Sequence, residues 1–347
     1  MLVKFSHILR SVAEKSRVTL VTGNQSADMD SVVSAIAYST LSSKSLVLPL
    51  INIPRQDFDL RRDIVHVMKH SDINVKDLIF LDDIESCWDQ LAKTKVDLVL
   101  VDHNKPQGDV VNNLMNELGA TVVGIIDHHE DEKLFTNASP RIIKKSGSCV
   151  SLVLNHFKEQ VARIDPKLAK LFLSPLVIDT SGLKHRVEQV DKDALELLLP
   201  KLQADQAFLQ AWTNELNTAK QNVEGLSLRD LLRKDYKEYR TVGISSMVVS
   251  LDYLSRFDLL PSLESWIKER KLDIAIIMTS YNDKKFHREI MFHGDDAKIR
   301  SLLNQIQEPL GLEPLAKYPF SFEQREPVNS RKQVAPLVNN WLDAQGL

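Results

Sequence analysis

The length, composition and charge of the chain limit the classes of protein to which it can belong. Its 347 residues are 43% hydrophobic and 26% charged, with 44 basic and 47 acidic side chains and a net charge of −3. This composition is typical of a globular protein, and the length favours two domains. The near balance of charge excludes a global attraction to nucleic acid or to an anionic membrane, so we expect neither as a partner.

The sequence indicates a protein of a reducing compartment. No apolar run approaches the roughly 20 residues needed to span a bilayer. The two cysteines, Cys87 and Cys149, cannot form a disulfide framework. We expect a cytoplasmic protein, with the mitochondrial matrix as the alternative compartment.

The N-terminal segment 1–16 is basic and contains serine, as transit peptides do. Glu14 interrupts the basic pattern, however. The apolar residues of the segment fall on one helical face: Phe5, Ile8, Leu9 and Val12. We therefore predict a helix that packs ahead of the first strand rather than a cleaved targeting segment.

The first half of the chain alternates apolar runs with helix-like segments. The runs are rich in Val, Ile and Leu without polar alternation, as strands buried on both faces are. They cover residues 17–23, 45–51, 77–83, 96–102 and 120–127. The predicted helices cover residues 31–41, 59–69, 84–93 and 110–118. This alternation predicts an α/β domain with a parallel, doubly wound sheet.

The second half of the chain predicts a smaller α/β domain with a mixed sheet. Residues 191–222 are polar, helical and leucine-bearing, and we interpret them as a linker. Strand and helix candidates then follow at 241–250, 259–270, 272–280, 287–294 and 297–306. The expected division is therefore 1–190, 191–222 and 223–347.

Acidic residues follow or end the apolar runs of the first half. They are Asp28, Asp30, Asp102, Asp127 and Asp179, the last ending a run that could be a helix or a strand. His128 and His129 come directly after Asp127. Because the carboxyl ends of parallel strands lie at one edge of a sheet, we expect these side chains to be neighbours.

This group of side chains predicts a metal site. A single Asp at a strand end is more often a helix cap, but several strands ending in the same way need another explanation. Carboxylates with one imidazole suit Mg²⁺, Mn²⁺ or Co²⁺, and clustered carboxylates repel one another without a cation. The candidate ligands suffice for two cations, which could clamp a phosphoryl group and activate a water. They are Asp28, Asp30, Asp102, His128 and Asp179.

Four segments resemble, in order, the four motifs of the DHH phosphoesterases, which are named for the triplet at 127–129. The segments are "GNQSADMDS" (23–31), "VDHN" (101–104), "GIIDHH" (124–129) and "LVIDTSG" (176–182). Further stretches at 53–63, 146–153, 234–237 and 331–336 are similar to the DHH exopolyphosphatases of fungi. The resemblance implies a DHH domain, a following DHHA2 domain, and an active site in the cleft between them.

The resemblance also implies roles for the acids and histidines. One metal would be held by Asp28 and Asp102. The other would be held by Asp30, Asp102, His128 and Asp179, so that Asp102 bridges the two. His129 would contact substrate phosphate, and Asp127 would orient a histidine.

The residue at position 24 distinguishes the exopolyphosphatases from the related pyrophosphatases. The related pyrophosphatases begin the first motif with a histidine ligand, where this chain has Asn24. An amide is a weaker ligand for Mn²⁺ or Co²⁺ than imidazole, so this departure favours Mg²⁺ and the exopolyphosphatases. We therefore assign Asn24 to substrate rather than to metal.

Cations of the second domain would bind the phosphate chain. The resemblance implies this role for Lys237, Arg331 and Lys332, with Asp235 as a support. As catalytic residues, these three and His129 would also stabilise the charge on the phosphoryl oxygens and the leaving group. Lys234 stays open, and His287 and Arg288 are weaker candidates. In the first domain, Arg55 follows Pro54 near a predicted helix N-terminus for which Asp59 would be the cap. Ser148 either packs against the metal site or contacts phosphate, and Cys149 is interpreted as a buried structural residue.

The combined prediction is a metal-dependent exopolyphosphatase that releases orthophosphate from the end of inorganic polyphosphate. The alternatives are an inorganic pyrophosphatase, a prune-like phosphodiesterase acting on short polyphosphates or nucleotides, and a scaffold that retains the fold. A DHH nuclease is disfavoured because the second half lacks a glycine-rich phosphate-binding segment. The oligomeric state is left open, with a monomer favoured.

Overall fold

The computed structural model describes residues 12, 16–44 and 46–346 of the chain. These residues form two compact units, the first ending at Asn222 and the second beginning at Val223. The helix predicted over residues 1–16 lies outside the described residues, apart from Val12, which is buried. No helix among the described residues is long and apolar enough to cross a membrane.

The first unit contains six strands and ten α-helices among its described residues. The strands are β1 Arg17–Thr22, β2 Val47–Ile51, β3 Ile79–Phe80, β4 Lys95–Val101, β5 Thr121–Asp127 and β6 Arg141–Ile143. The helices are α1 Met29–Leu41, α2 Arg62–His70, α3 Leu81–Ser86, α4 Trp88–Leu91, α5 Asp109–Asn116, α6 Cys149–His156, α7 Lys158–Val161, α8 Pro166–Asp179, α9 Gln189–Leu202 and α10 Gln206–Gln221. Two short 3₁₀ helices cover Arg55–Leu60 and Val75–Asp77.

The sheet of the first unit is parallel throughout, in the order β3-β2-β1-β4-β5-β6. This confirms the predicted doubly wound α/β fold. The strand order reverses between β1 and β4, because β2 and β3 lie on one side and β5 and β6 on the other. Ligands of such sheets bind at the carboxyl ends of the strands beside this reversal. The loops after β1 and β4 therefore occupy the position where a ligand site is expected.

Three local predictions differ from the structure. Residues 77–83 form only the two-residue strand β3, because the Asp83 carboxylate accepts a hydrogen bond from Phe80 N (2.8 Å) and starts α3. Asp59 lies inside a 3₁₀ helix instead of capping a helix, and α2 begins at Arg62. The run ending at Asp179, left open between helix and strand, is helix α8.

Residues 191–222, interpreted from sequence as a linker, form most of α9 and all of α10 in the first unit. Helix α9 packs on α6 and α8, and α10 packs on α2 and α8. Buried Leu198 and Trp212 belong to the core of that unit. The second unit begins at Val223.

The second unit is built on a mixed sheet, as predicted. Its strands are β7 Tyr236–Tyr239, β8 Val242–Met247, β9 Ile274–Thr279, β10 Tyr281–Asp283, β11 Lys285–His287, β12 Glu289–Gly294, β13 Leu312–Pro314 and β14 Ser321–Gln324. Its helices are α11 Leu228–Lys234, α12 Leu251–Leu254, α13 Leu259–Arg270, α14 Asp296–Ile306 and α15 Arg331–Ala344. The sheet order is β13-β14-β12-β9-β8-β7, in which only β8 and β9 are parallel, and β10 and β11 form a separate hairpin.

Candidate metal centre

Asp102 lies directly after β4, beside the reversal of strand order. Its backbone is left-handed, with φ 61°, and its side chain is only 3% exposed. Oδ2 accepts hydrogen bonds from Ser31 Oγ (2.6 Å) and Asn24 Nδ2 (2.9 Å). Oδ1 lies 3.2 Å from His128 Nε2. The carboxylate is thus fixed by the loop after β1, with one oxygen facing the histidine.

Asp30 lies in the first turn of α1 and is held by the N-terminus of α6. Its carboxylate accepts hydrogen bonds from Cys149 N (2.6 Å), Val150 N (2.9 Å) and Ser148 Oγ (2.7 Å). The positive end of the α6 dipole favours an anion at this place. Burial nevertheless raises the pKa of Asp30, against the lowering effect of His128. A buried carboxylate with these donors needs further positive charge to remain ionised.

His128 has the hydrogen bonds of a metal-ligating histidine. Its Nδ1 lies 3.0 Å from the carbonyl oxygen of Ser146, so Nδ1–H donates and the tautomer is fixed. This leaves Nε2 as the atom that could coordinate a metal, and it lies 3.2 Å from Asp102 Oδ1 and 3.8 Å from Asp30 Oδ2. The three predicted ligands therefore converge on one small volume.

Asp179 and Asp28 border this group. Asp179 is the last residue of α8, where the negative end of the helix dipole disfavours a carboxylate. Its Oδ2 is buried and has no hydrogen-bond partner among the residues that the structure describes. Burial, Asp30 and Asp28 raise the pKa of Asp179 well above its ordinary value. Asp28 is exposed and caps α1 by accepting from Ser31 N (3.0 Å).

The arrangement of these groups fits divalent cations. Burial and the neighbouring Asp30 raise the pKa of Asp102 to about 7, so the carboxylates oppose one another when no cation lies among them. Among the described residues, the buried Asp179 Oδ2 has no hydrogen-bond partner, and His128 Nε2 faces the carboxylates of Asp102 and Asp30, with which it could share a cation. Oxygen ligands with one imidazole suit Mg²⁺, Mn²⁺ and Co²⁺.

His129 is positioned differently from His128. Its Nδ1 lies 2.8 Å from Asp127 Oδ1, and its side chain is 56% exposed. Asp127 is completely buried and also accepts from the backbone N–H of His128 (2.8 Å) and from Asn104 Nδ2. The hydrogen bond to Asp127 raises the pKa of His129, which favours the protonated ring.

Three residues of the first unit that the sequence analysis considered for substrate binding make hydrogen bonds to other protein groups. Asn24 Nδ2 contacts Asp102, and its Oδ1 accepts from Ser26 N (2.9 Å). Ser148 is fully buried and its Oγ donates to Asp30. Arg55 donates to Val75 O (3.1 Å) and Leu78 O (2.9 Å), pairs with Asp83, and stacks 4.3 Å above the Phe80 ring. Asn24 and Ser148 therefore position metal-ligand candidates, while Arg55 fastens its own loop.

In the second unit, the structure brings together two of the basic motifs. Arg331, at the start of α15, donates to the backbone carbonyl of Asp235 (3.0 Å) and to its carboxylate (2.6 Å). Lys237 is exposed on β7, two residues after Asp235, and Lys332 is exposed beside Arg331. His287 lies apart from them on β11, with Nδ1 2.8 Å from Glu323 Oε1 and its ring stacked on Tyr281.

Sequence reasoning missed the residues that hold the ligands. Ser31 Oγ donates to Asp102, and Ser34 Oγ to Asp30 (3.2 Å). Asn104 joins Asp127 to the carbonyl of Glu130 (2.8 Å) and accepts from Glu132 N (2.9 Å). Ser31 and Asn104 lie inside the quoted motifs, and that position was the available signal. Cys149 is buried with a raised pKa, as a structural cysteine is.

Models of two protein families match the chain. The DHH family, N-terminal domain, matches residues 18–176, and the DHHA2 domain matches residues 214–341. A solved structure titled "Crystal structure of Methanococcus jannaschii putative family II inorganic pyrophosphatase" has a TM-score of 0.60 and 21% identity, and covers 94% of this chain and 100% of its own. This match supports the fold alone.

Curated relatives cover most of the chain. "Putative exopolyphosphatase" of Schizosaccharomyces pombe is 31% identical over 94% of this chain and 92% of its own length. "Exopolyphosphatase PRUNE1" of Homo sapiens is 26% identical over 96% and 78%. "Manganese-dependent inorganic pyrophosphatase" of Methanothrix thermoacetophila is 24% identical over 74% and 79%. The chain belongs to the DHH phosphoesterase family and carries a DHHA2 domain after its DHH domain.

Proposed function

We propose that the protein is a metal-dependent exopolyphosphatase, which hydrolyses the terminal anhydride bond of inorganic polyphosphate and releases orthophosphate. The phosphoesterase chemistry rests on the convergence of Asp30, Asp102 and His128, with Asp179 and Asp28 beside them. Two divalent cations of the Mg²⁺, Mn²⁺ or Co²⁺ type are the cofactors that we assign to these ligands. When bound at such a site, cations of this type act as Lewis acids and lower the pKa of a coordinated water.

The presence of asparagine at position 24 is the reason that we propose polyphosphate rather than pyrophosphate as the substrate. Its amide nitrogen is hydrogen-bonded to Asp102 and its amide oxygen to Ser26, so this position supplies no imidazole ligand. The names of the relatives agree with the proposal, since the 31% and 26% identical proteins are both called exopolyphosphatases.

His129 is the group of the first unit to which we assign substrate contact. Asp127 fixes its Nδ1–H and favours the protonated ring, so the exposed Nε2 can donate to a phosphoryl oxygen. In the reaction, the oxygen of a water bonds to the terminal phosphorus, the bridging P–O bond breaks, and the proton lost by the water passes to solvent or to a phosphate product. The bridging oxygen leaves with the electron pair, and a positioned imidazolium offsets the charge that develops.

We assign Lys237, Arg331 and Lys332 to binding of the phosphate chain. Polyphosphate carries about one negative charge per phosphate unit. The guanidinium group of Arg and the ammonium group of Lys bind such phosphates. Asp235 supports this role by holding Arg331 at the start of α15.

Phosphate release from four substrates tests the proposal. Purified protein is given long polyphosphate, tripolyphosphate, pyrophosphate or a cyclic nucleotide, with Mg²⁺, Mn²⁺ or Co²⁺ in turn. The proposal predicts the highest kcat/KM on a polyphosphate. The highest kcat/KM on pyrophosphate would overturn it in favour of a pyrophosphatase. Conversion of the cyclic nucleotide alone to its nucleoside monophosphate, followed by chromatography because it frees no orthophosphate, would overturn it in favour of a phosphodiesterase. No release from any substrate would leave the scaffold alternative.

A further inference from the structure

A second group of potential metal ligands lies in the first unit, on helices α2 and α10. His66 and His70 are four residues apart on α2, so their imidazoles lie on the same face of the helix. Glu215 faces them from α10. One ligand atom from each of the three residues lies within 4.8 Å of the other two. None of these residues belongs to the site described above.

We propose that His66, His70 and Glu215 form a mononuclear binding site for a divalent transition metal of the Zn²⁺ type, separate from the phosphoesterase centre. Two imidazoles and one carboxylate, with the remaining positions open to water, are a donor set used by zinc. Hard cations such as Mg²⁺ prefer oxygen ligands and are not expected here.

The distances suit a small tetrahedral ion. Zn²⁺ with bonds of about 2.0–2.2 Å places its ligand atoms roughly 3.3–3.5 Å apart. His70 Nε2 lies 3.3 Å from Glu215 Oε1, and His66 Nε2 lies 2.7 Å from the same oxygen. The 2.7 Å between His66 Nε2 and Glu215 Oε1 is a hydrogen-bond distance. A bound ion would replace the shared proton, and the Glu215 carboxylate would move less than 1 Å away from His66 to reach the ligand spacing of zinc. Glu215 is 46% exposed and can make this movement.

The backbone and the ring packing orient the ligands before an ion binds. Helix α10 packs on α2, and Trp212, one turn before Glu215, is buried with Nε1 hydrogen-bonded to Ser174 Oγ (3.0 Å). The ring centroids of His66 and His70 lie 5.8 Å and 5.2 Å from that of Trp212. The pair of imidazoles is therefore supported by a fixed indole.

The charges around the group act in both directions. Glu215 attracts a cation, whereas Lys170 of α8, with Nζ 3.6 Å from the Trp212 ring centroid, repels one and limits the affinity. Burial, Lys170 and His66 together lower the pKa of His70. A neutral imidazole is the form that binds metal, so these groups reduce competition from protons.

Fluorescence of Trp212 reports on this site because the rings of His66 and His70 lie beside the indole. Variants at these positions separate its signal from that of Co²⁺ bound at the phosphoesterase centre. Co²⁺ replaces Zn²⁺ in such sites and quenches a nearby indole at short range. The intact protein is titrated with Co²⁺ in excess Mg²⁺, and Zn²⁺ is then added as a competitor. We expect saturable quenching that Zn²⁺ reverses, and loss of this component in Trp212→Phe.

Two ligand variants and one matched control complete the test. His70→Gln and Glu215→Gln are expected to weaken Co²⁺ binding at least about 100-fold, since even outer-shell changes weaken metal binding 10–100-fold. His156→Gln changes a single histidine on α6 and should leave the quenching intact. Quenching that is absent in the wild type, or equal in His70→Gln, would overturn the proposal. Far-ultraviolet circular dichroism of each variant shows that it is folded.

Discussion

At the scale of single residues, we expect the side chains around Asp102 to determine whether the proposed centre can hold cations. Asp102 has a left-handed backbone, a conformation that Asn also adopts readily. Asp102→Asn therefore preserves the fold while removing a negative ligand. We predict a fall in kcat/KM on polyphosphate of at least about 100-fold, more than the loss of an outer-shell group produces.

Asp72 provides the matched control for this substitution. It too is an aspartate with positive φ (54°), but it is exposed and forms a surface ion pair with Lys167. A surface ion pair contributes little, so Asp72→Asn should keep wild-type activity. Equal activities of the two variants, measured by phosphate release, would contradict the bridging role assigned to Asp102.

Asn24 is predicted to set the preference among metals. Because its amide is bonded to Asp102 and Ser26, the position offers no strong ligand to Mn²⁺ or Co²⁺. Asn24→His supplies an imidazole, which transition metals favour over Mg²⁺. The ratio of the activation constants for Mg²⁺ and Mn²⁺ should rise by about tenfold, equivalent to about 1.4 kcal/mol. An unchanged ratio would refute this explanation of Asn24.

At the scale of elements, the N-terminus of α6 must approach the loop before α9 closely. A Cβ at Gly147 would lie 2.5 Å from Thr180 Cγ2 and 2.6 Å from Arg186 O. Gly147→Ala therefore displaces the helix start that binds Asp30. We predict a loss of about 1–3 kcal/mol in the free energy of unfolding, together with weaker metal binding.

Ser148→Ala is the comparison for this prediction. It removes the Oγ hydrogen bond to Asp30 but leaves the Cys149 and Val150 backbone donors in place. We expect a loss of about 1 kcal/mol. Urea unfolding measures both variants, and a Gly147→Ala protein as stable as the wild type would show that the close approach is unimportant.

In the second unit, Asp235 links the start of β7 to the start of α15 through Arg331. Asp235→Asn loosens the guanidinium, so KM for polyphosphate should rise about threefold to tenfold while kcat changes less. Asp343→Asn breaks the ion pair with Arg240 in the same unit and serves as the control. A lower kcat with unchanged KM in Asp235→Asn would contradict a binding role.

The sequence predicted the elements better than the contacts of single side chains. Continuous apolar runs indicated the parallel sheet, and strand ends indicated where the acids meet. The helical state of the run ending at Asp179 could not be derived, because periodicity does not distinguish a short buried helix from a strand. The Arg55 contacts with Val75, Leu78 and Asp83 depend on chain segments that meet only in the folded protein.

At the scale of the whole molecule, metal removal should make stability depend on pH. Burial and Asp30 raise the pKa of Asp102 from 3.8 to about 7. Although burial lowers it, contacts with Asp102 and Asp30 raise the pKa of His128 from 6.5 to about 10. Between its ordinary and its raised pKa, each group is protonated in the folded chain and deprotonated in the unfolded chain. The folded chain therefore binds more protons from about pH 4 to pH 7 through Asp102 and from about pH 6.5 to pH 10 through His128, and the free energy of unfolding falls as pH rises.

The expected fall is on the order of 1.4 kcal/mol per pH unit for each proton that the folded chain binds in excess of the unfolded chain. Urea unfolding of the metal-free protein between about pH 5 and pH 9 measures it. Adding Mn²⁺ should reverse the trend, because the metal binds the deprotonated ligands and stabilises only the folded chain. The same pH dependence with and without Mn²⁺ would show that these residues do not hold the metal.

The central claim is that this centre removes phosphate from the end of polyphosphate, and chain-length-resolved electrophoresis tests it most directly. Long polyphosphate is incubated with wild type and with Asp102→Asn, and orthophosphate is measured in parallel. We predict that orthophosphate appears from the first time point in the wild type, with no burst of mid-length fragments, and that the variant leaves the chains intact. Random mid-length fragments without orthophosphate, or equal products from the variant, would contradict the account.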